Sequence, residues 1–203
     1  MSKWIEFPHG LEALFLGASG EIAKLMDGFY DNIEDGLFEQ VYDNDNRDEQ
    51  QRIVELMREI RNQRPVLVRV FLERVSQSTE DWLLGRDAPE YLEESIQAED
   101  IARRCSEHFG PLLQVLSERI ADAIECTPDR ENLSLSPEKI AYQFIMSCRD
   151  VGMDRRSVMG VQDLFHRFVL ERLGTVYGNM NRQLMAAGFL TLRESSEVIF
   201  STA

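Results

Sequence analysis

Apolar residues recur at spacings of three and four along most of this chain, which is the periodicity of a helix that buries one face. The longest such stripe lies near the carboxyl end and consists of Val158, Val161, Phe165, Phe168, Val169, Leu173, Val176, Met180 and Leu184. No stretch of useful length alternates apolar and polar residues in the manner of a half-buried strand. The pattern therefore predicts an all-α protein.

Prolines, glycines and polar clusters divide this pattern into about six or seven helices. Pro65 falls inside a predicted helix over 47–84, and Gly110-Pro111 falls inside one over 95–124. Proline removes a helical hydrogen bond, so we expect these long helices to be kinked or split. Ser136-Pro137-Glu138 places a hydroxyl cap, a proline and an acid in the order that starts a helix.

The helices are expected to form a single-domain bundle over residues 1–203. A chain of this length can bury about 70% of the surface that its unfolded form exposes, so it needs no disulfide or metal to hold it together. Asp154 is expected to cap the last helix, which ends near Ala187 with Gly188 as a left-handed terminator. Residues 127–135 are expected to form a polar loop, and the tail over 193–203 is expected either to be flexible or to dock on the bundle.

The chain is acidic, with 36 acidic and 22 basic side chains and a formal net charge of −14. Nucleic acids and anionic membranes are bound through Lys and Arg, so this charge argues against both partners. It favours a protein partner that carries a basic patch.

The longest stretch without a charged residue, 183–192, is about half as long as a membrane-spanning helix. The three cysteines are widely spaced, which fits a reducing cytoplasm.

The sequence lacks the motifs of common enzyme sites. It contains no Gly-x-Ser-x-Gly and no glycine-rich phosphate loop, and His9, His108 and His166 lie in unrelated contexts. Cys105-x-x-His108 supplies half of a zinc site, and the other half would come from a second cysteine, His166 or a carboxylate. A free cysteine is commonly a buried apolar residue. We therefore predict no catalytic residue, no metal and no cofactor.

Arg58, Arg61 and Arg64 are spaced by three and lie along one flank of a predicted helix. In one interpretation they pair with acids of the first helices, where exposed ion pairs contribute about 0–1 kcal/mol each. In the other, their guanidinium groups bind an anionic group of a partner. These three arginines are our candidate partner-binding residues.

Three glycines fall within the last predicted helix, at Gly160, Gly174 and Gly178. Each costs about 1 kcal/mol relative to alanine in a helix interior, so some compensation is expected. Glycines four apart allow a neighbouring backbone to come close. The compensation is either tight packing or a local break within the chain, or a homodimer formed through this helix.

Several stretches, in this order, resemble the bacterial domain-of-unknown-function family DUF1631. They are DGLFE (35–39), MREIRNQR (57–64), VFL (70–72), LEESI (92–96), LFHRFVLERLGTVY (164–177) and NRQLMAAGFL (181–190). The region that resembles the family therefore spans about 33–192, which is most of the chain.

The resemblance implies a bacterial cytosolic protein, although members of the family are typically much longer. Some members carry a PilZ-type module, which implies a link to cyclic-di-GMP signalling. This chain lacks the arginine-rich PilZ signature, so we do not expect it to bind the dinucleotide directly. We predict a protein–protein interaction or adaptor protein, regulatory or linked to cyclic-di-GMP signalling. The alternative is a ligand- or metal-binding helical bundle with enzymatic activity.

Overall fold

A computed structural model describes residues 9–42, 45–86, 90–124 and 133–189. Within these ranges the protein contains six α-helices, one 3-10 turn and no strand. The elements are α1 (His9–Tyr42), α2 (Arg47–Leu83), α3 (Leu92–Ile124), α4 (Pro137–Asp150), α5 (Arg155–Phe168), the 3-10 turn (Leu170–Arg172) and α6 (Leu173–Ala186). The prediction of an all-α fold is confirmed.

The long helices continue through the positions where the sequence allows a split. Pro65 lies inside α2 and Pro111 lies inside α3. Pro65 is exposed, and Ile60 and Leu67 are buried on either side of it. Burial of this apolar face offsets the cost of about 3 kcal/mol that proline imposes on a helix. A kink at either proline stays a prediction.

Counted as continuous helical runs, the described helices are fewer than the six or seven predicted. The α5 helix, the 3-10 turn and α6 follow one another without a loop, so the described residues contain five continuous helical runs. The prediction counted helix breaks at Pro65 and Pro111, but α2 and α3 continue through these prolines. It also missed the 3-10 turn, which divides the segment predicted as a single last helix.

Three predicted helix ends are confirmed by their local hydrogen bonds and backbone angles. Ser136 accepts a hydrogen bond from the Lys139 amide at 3.3 Å at the start of α4. Asp154 accepts one from the Ser157 amide at 2.7 Å at the start of α5. Gly188 follows α6 with a φ of 92°, a left-handed conformation that favours glycine. The tail over 193–203 lies outside the described residues.

The buried apolar residues form one cluster to which all six helices contribute. At its centre Phe144 and Phe165 stack with ring centroids 3.8 Å apart, and Phe29 and Phe71 meet both rings edge-on. These four rings come from α4, α5, α1 and α2, so they fix how those helices pack together.

The segment predicted as a polar loop over 127–135 ends inside the core. Leu133 and Leu135 are buried, and the Tyr177 hydroxyl donates a hydrogen bond to the Leu135 carbonyl at 2.7 Å. Residues 125–132 lie outside the described ranges. The approach to α4 is therefore held against α6 by apolar contacts and by a buried hydrogen bond.

Tight packing within the chain accounts for two of the three glycines of the last predicted helix. A methyl group added at Gly174 would lie 2.7 Å from the Phe109 ring, and one at Gly160 would lie 2.7 Å from a methyl of Leu56. Gly178 has no such neighbour within 4 Å among the described residues. The homodimer through this helix stays a prediction.

Candidate functional site between helices α3 and α5

A groove of about 530 Å³ opens between α3 and α5. The two helices run in the same direction on its two sides, because their contacts follow the order of the chain. These contacts pair Glu93 with Arg155, Gln97 with Gln162 and Cys105 with His166. The volume lies within the range of about 300–1,000 Å³ that is usual for small-molecule sites.

The middle of the groove is apolar and open to solvent. Ile96 on α3 is 51% exposed and Met159 on α5 is 53% exposed, and both line the groove with the partly buried Ile101. The Gln97 amide donates to the Gln162 side chain at 3.0 Å and joins the two walls. Large apolar side chains gathered in one open groove are typical of a binding surface.

Charged side chains surround this apolar centre. Glu93 and Arg155 pair with each other across the groove, and Asp100 pairs with Arg103 along α3. Asp163 and Arg104 line the groove, are exposed, and make no ion pair with another described residue. The two charges that remain available to a ligand are therefore one acid on α5 and one base on α3.

Beside the groove a thiol, an imidazole and a carboxylate stand in a row. The Cys105 sulfur lies 3.5 Å from Nε2 of His166, and Nδ1 of the same ring lies 3.5 Å from a Glu171 carboxylate oxygen. The three residues come from α3, α5 and the 3-10 turn. In the tautomer that carries its proton on Nδ1, the ring would donate to the carboxylate and Nε2 would accept from the thiol.

Burial determines the protonation state of this thiol. Cys105 is only 4% exposed. Its desolvation raises the pKa of the Cys105 thiol to about 11, and the negative charges of Glu171 and Glu138 add to the rise. The sulfur is therefore a neutral thiol at physiological pH, and it needs a neighbouring base before it can act as a nucleophile.

The pairing of His166 with Cys105 corrects the prediction that the histidines lie in unrelated contexts. His108, the histidine close to Cys105 in sequence, is exposed and meets the Phe109 ring edge-on. The imidazole that contacts the thiol comes from a position 61 residues away, so no local spacing could reveal it. Among the residues described, no group of three or more His, Cys, Asp or Glu side chains is placed to hold a metal ion.

The three candidate arginines lie on α2, and two of them pair with α1. Arg61 donates to the Glu34 carboxylate at 2.8 and 2.5 Å and lowers the pKa of that carboxyl group. Arg64 lies 3.4 Å from the Asp31 carboxylate. Arg58 is exposed and makes no ion pair with any residue that the structure describes. Pairing inside the chain thus accounts for two of the three, and a role of the arginines in partner binding stays a prediction.

A comparison with known protein families decides the family. The model for the N-terminal domain of proteins of unknown function, DUF1631, matches residues 88–188. The chain belongs to the DUF1631 family. The match covers α3 to α6 and therefore includes both walls of the groove and the row of Cys105, His166 and Glu171. The resembling stretches over 35–72 lie outside the match. No curated protein and no solved structure matches the chain.

The described helices show no membrane-spanning character. None of them combines the length and the apolar composition that crossing a bilayer requires.

Proposed function

We propose that this DUF1631 protein is a bacterial interaction or adaptor protein, and that its partner places an amphipathic helix in the α3–α5 groove. One observation carries the proposal: Ile96 and Met159 are both about half exposed and line the same groove. Two helices side by side form the kind of groove into which the apolar face of a third helix packs. The two side chains are the expected contacts for its apolar residues.

Charge complementarity specifies the helix further. Asp163 beside the apolar centre would pair with a basic residue of the partner, and Arg104 at the His166 end would pair with an acidic one. The net charge of −14 would speed the approach of a partner that carries a basic patch. The exposed Arg58 is kept as a candidate for a second contact on α2.

Membership of the family supports two further parts of the proposal. The family is one of bacterial cytosolic proteins, so we propose a cytoplasmic location. Some members carry a PilZ-type module, so we propose a regulatory role linked to cyclic-di-GMP signalling. Binding of a partner is its proposed principal function.

A homodimer is also proposed, and light scattering on the purified protein would detect it. Because Gly174 packs against Phe109 within the chain, such a dimer would use other residues of α6.

The experiment compares two methionines of equal exposure. Met159 in the groove is 53% exposed and Met185 on α6, outside the groove, is 52% exposed. A photo-crosslinking residue is placed at each position in native cells, and the captured partner is then purified. Its affinity is measured for the wild type, Met159→Arg and Met185→Arg.

We expect Met159→Arg to weaken binding at least tenfold, which corresponds to about 1.4 kcal/mol, and Met185→Arg to leave it unchanged. Equal affinity of both variants for the partner would refute the groove as the contact. A partner whose contact segment lacks basic residues would refute the electrostatic part of the proposal.

A second candidate function rests on a different observation. The sequence left open a ligand-binding bundle with enzymatic activity, and the row formed by Cys105, His166 and Glu171 favours that alternative. The motif analysis named Cys105 and His166 as possible zinc ligands, but it predicted no catalytic residue.

A further inference from the structure

We propose that Cys105, His166 and Glu171 form a nucleophilic site that accepts an acyl group from an ester or thioester bound in the α3–α5 groove. The inference goes beyond partner binding and does not depend on it, although both would use the same groove. It rests on the order of the three groups and on the position of His166.

The order of the groups has a direct chemical meaning. One imidazole nitrogen of His166 faces a sulfur at 3.5 Å, and the other faces a carboxylate at 3.5 Å. This is the arrangement in which an imidazole takes a proton from a nucleophile while an acid holds the ring in the required tautomer. Distances slightly longer than a hydrogen bond are usual at such sites before a substrate binds.

The position of His166 connects the thiol to the groove. His166 is one of the side chains that line the groove, and the same ring contacts the buried sulfur of Cys105. The sulfur therefore lies directly behind the groove wall. The His166 side chain is 19% exposed. A small movement of its imidazole would allow the Cys105 sulfur to reach the carbonyl carbon of a substrate bound in the groove.

The lining of the groove indicates the class of substrate. Ile96, Ile101 and Met159 offer apolar contacts to a short or medium acyl chain. Arg104, at the His166 end, would attract a leaving group that carries a negative charge. An acyl ester or acyl thioester combines these two features.

The acyl transfer needs no oxidant and no cofactor. The thiol proton of Cys105 passes to Nε2 of His166 while the sulfur attacks the carbonyl carbon. The bond from that carbon to the oxygen or sulfur of the leaving group then breaks, and the leaving group takes the proton from His166. The products are an acyl thioester on Cys105 and a free alcohol or thiol. Glu171 acts as a positioning residue that orients the ring.

The test uses the 203-residue chain and two probes, p-nitrophenyl butyrate and a butyryl thioester of a small acidic thiol. Intact mass spectrometry measures addition of one butyryl group, and peptide mapping locates it. We expect acylation on Cys105, with a rate reduced about 100-fold or more in His166→Gln, which removes the base. Cys126→Ser is the control for loss of a different cysteine and should react as the wild type does.

The pH profile separates a catalytic role of His166 from a structural one. In the wild type the rate should level off well below the thiol pKa of about 11, because the imidazole of His166 takes the proton from the thiol. In His166→Gln it should keep rising toward the thiol pKa of about 11. Glu171→Gln should slow the reaction less and retain the profile of the wild type.

Circular dichroism verifies that each variant is folded. Three outcomes would overturn the proposal: no acylation of the folded wild type by either probe, acylation only at other residues, or equal rates in the wild type and in a folded His166→Gln. If His166→Gln does not fold, the pH profiles of the wild type and Glu171→Gln decide the question. A wild-type rate that rises without a plateau up to the thiol pKa would then overturn it.

Discussion

Replacing Phe165 by alanine should cost this protein a large part of its stability. Phe165 is fully buried, and its ring stacks on Phe144 at 3.8 Å between centroids. Phe29 and Phe71 also meet its edge or face at 5.9 and 6.0 Å. The substitution would therefore empty the point at which four helices meet.

The expected loss follows from the surroundings of the ring. A buried phenylalanine changed to alanine costs about 3–5 kcal/mol, and loss of aromatic pairing adds about 0.5–1.5 kcal/mol for each favourable pair. We expect about 4–5 kcal/mol from a total stability on the order of 5–15 kcal/mol. For a chain of this size that loss lowers the melting temperature by roughly 8–20 °C.

The assay is urea unfolding followed by circular dichroism, with Phe38→Ala as the matched control. Phe38 is 64% exposed on α1, so its removal should change the stability by no more than about 0.5 kcal/mol. Equal losses for the two substitutions would show that the four rings do not form the packing centre described above. A loss below about 2 kcal/mol for Phe165→Ala would mean that the neighbouring rings close the cavity.

Four further outcomes can be measured by the same unfolding assay. Gly178→Ala should raise the free energy of unfolding by about 0.4–1 kcal/mol, because no described atom lies within 4 Å of the added methyl group. Gly174→Ala should lower the free energy of unfolding, because its methyl group would lie 2.7 Å from the Phe109 ring. Ser136→Ala should cost about 1 kcal/mol through loss of the cap on α4, and an unchanged urea midpoint would contradict this. The free energy of unfolding should fall between pH 9 and about 11. The unfolded Cys105 thiol ionises near its ordinary pKa of 9.0, whereas the folded thiol keeps its proton until about pH 11. In Cys105→Ser the free energy of unfolding should fall less steeply over the same range.

The features that could be predicted from the sequence depend on interactions between close neighbours in the chain. A helix cap such as Ser136 acts on a backbone amide three residues away, and Gly188 acts on its own backbone angle. The stripes of apolar residues also repeat within single helices. Such features are present in any short window of sequence, and they were sufficient for the fold class and for the starts of α2, α4 and α5.

The candidate site depends instead on contacts between distant parts of the chain. The two walls of the groove, and the thiol and imidazole beside it, come from α3 and α5, and Cys105 and His166 are 61 residues apart. The pairing of Arg61 with Glu34 joins positions 27 residues apart in the same way. The sequence indicated acids as the partners of the arginines, but it could not indicate which ones.

The sequence by itself determined that this chain is helical, where several of its helices begin or end, and that its charge is acidic, because residue type and spacing of up to four positions decide those properties. Only the tertiary structure decided that Pro65 stays within a helix, that Gly174 receives the Phe109 ring, and that His166 reaches Cys105. Each of these depends on how helices pack against one another. That packing is set by the shared burial of side chains from several helices, such as the four rings around Phe165.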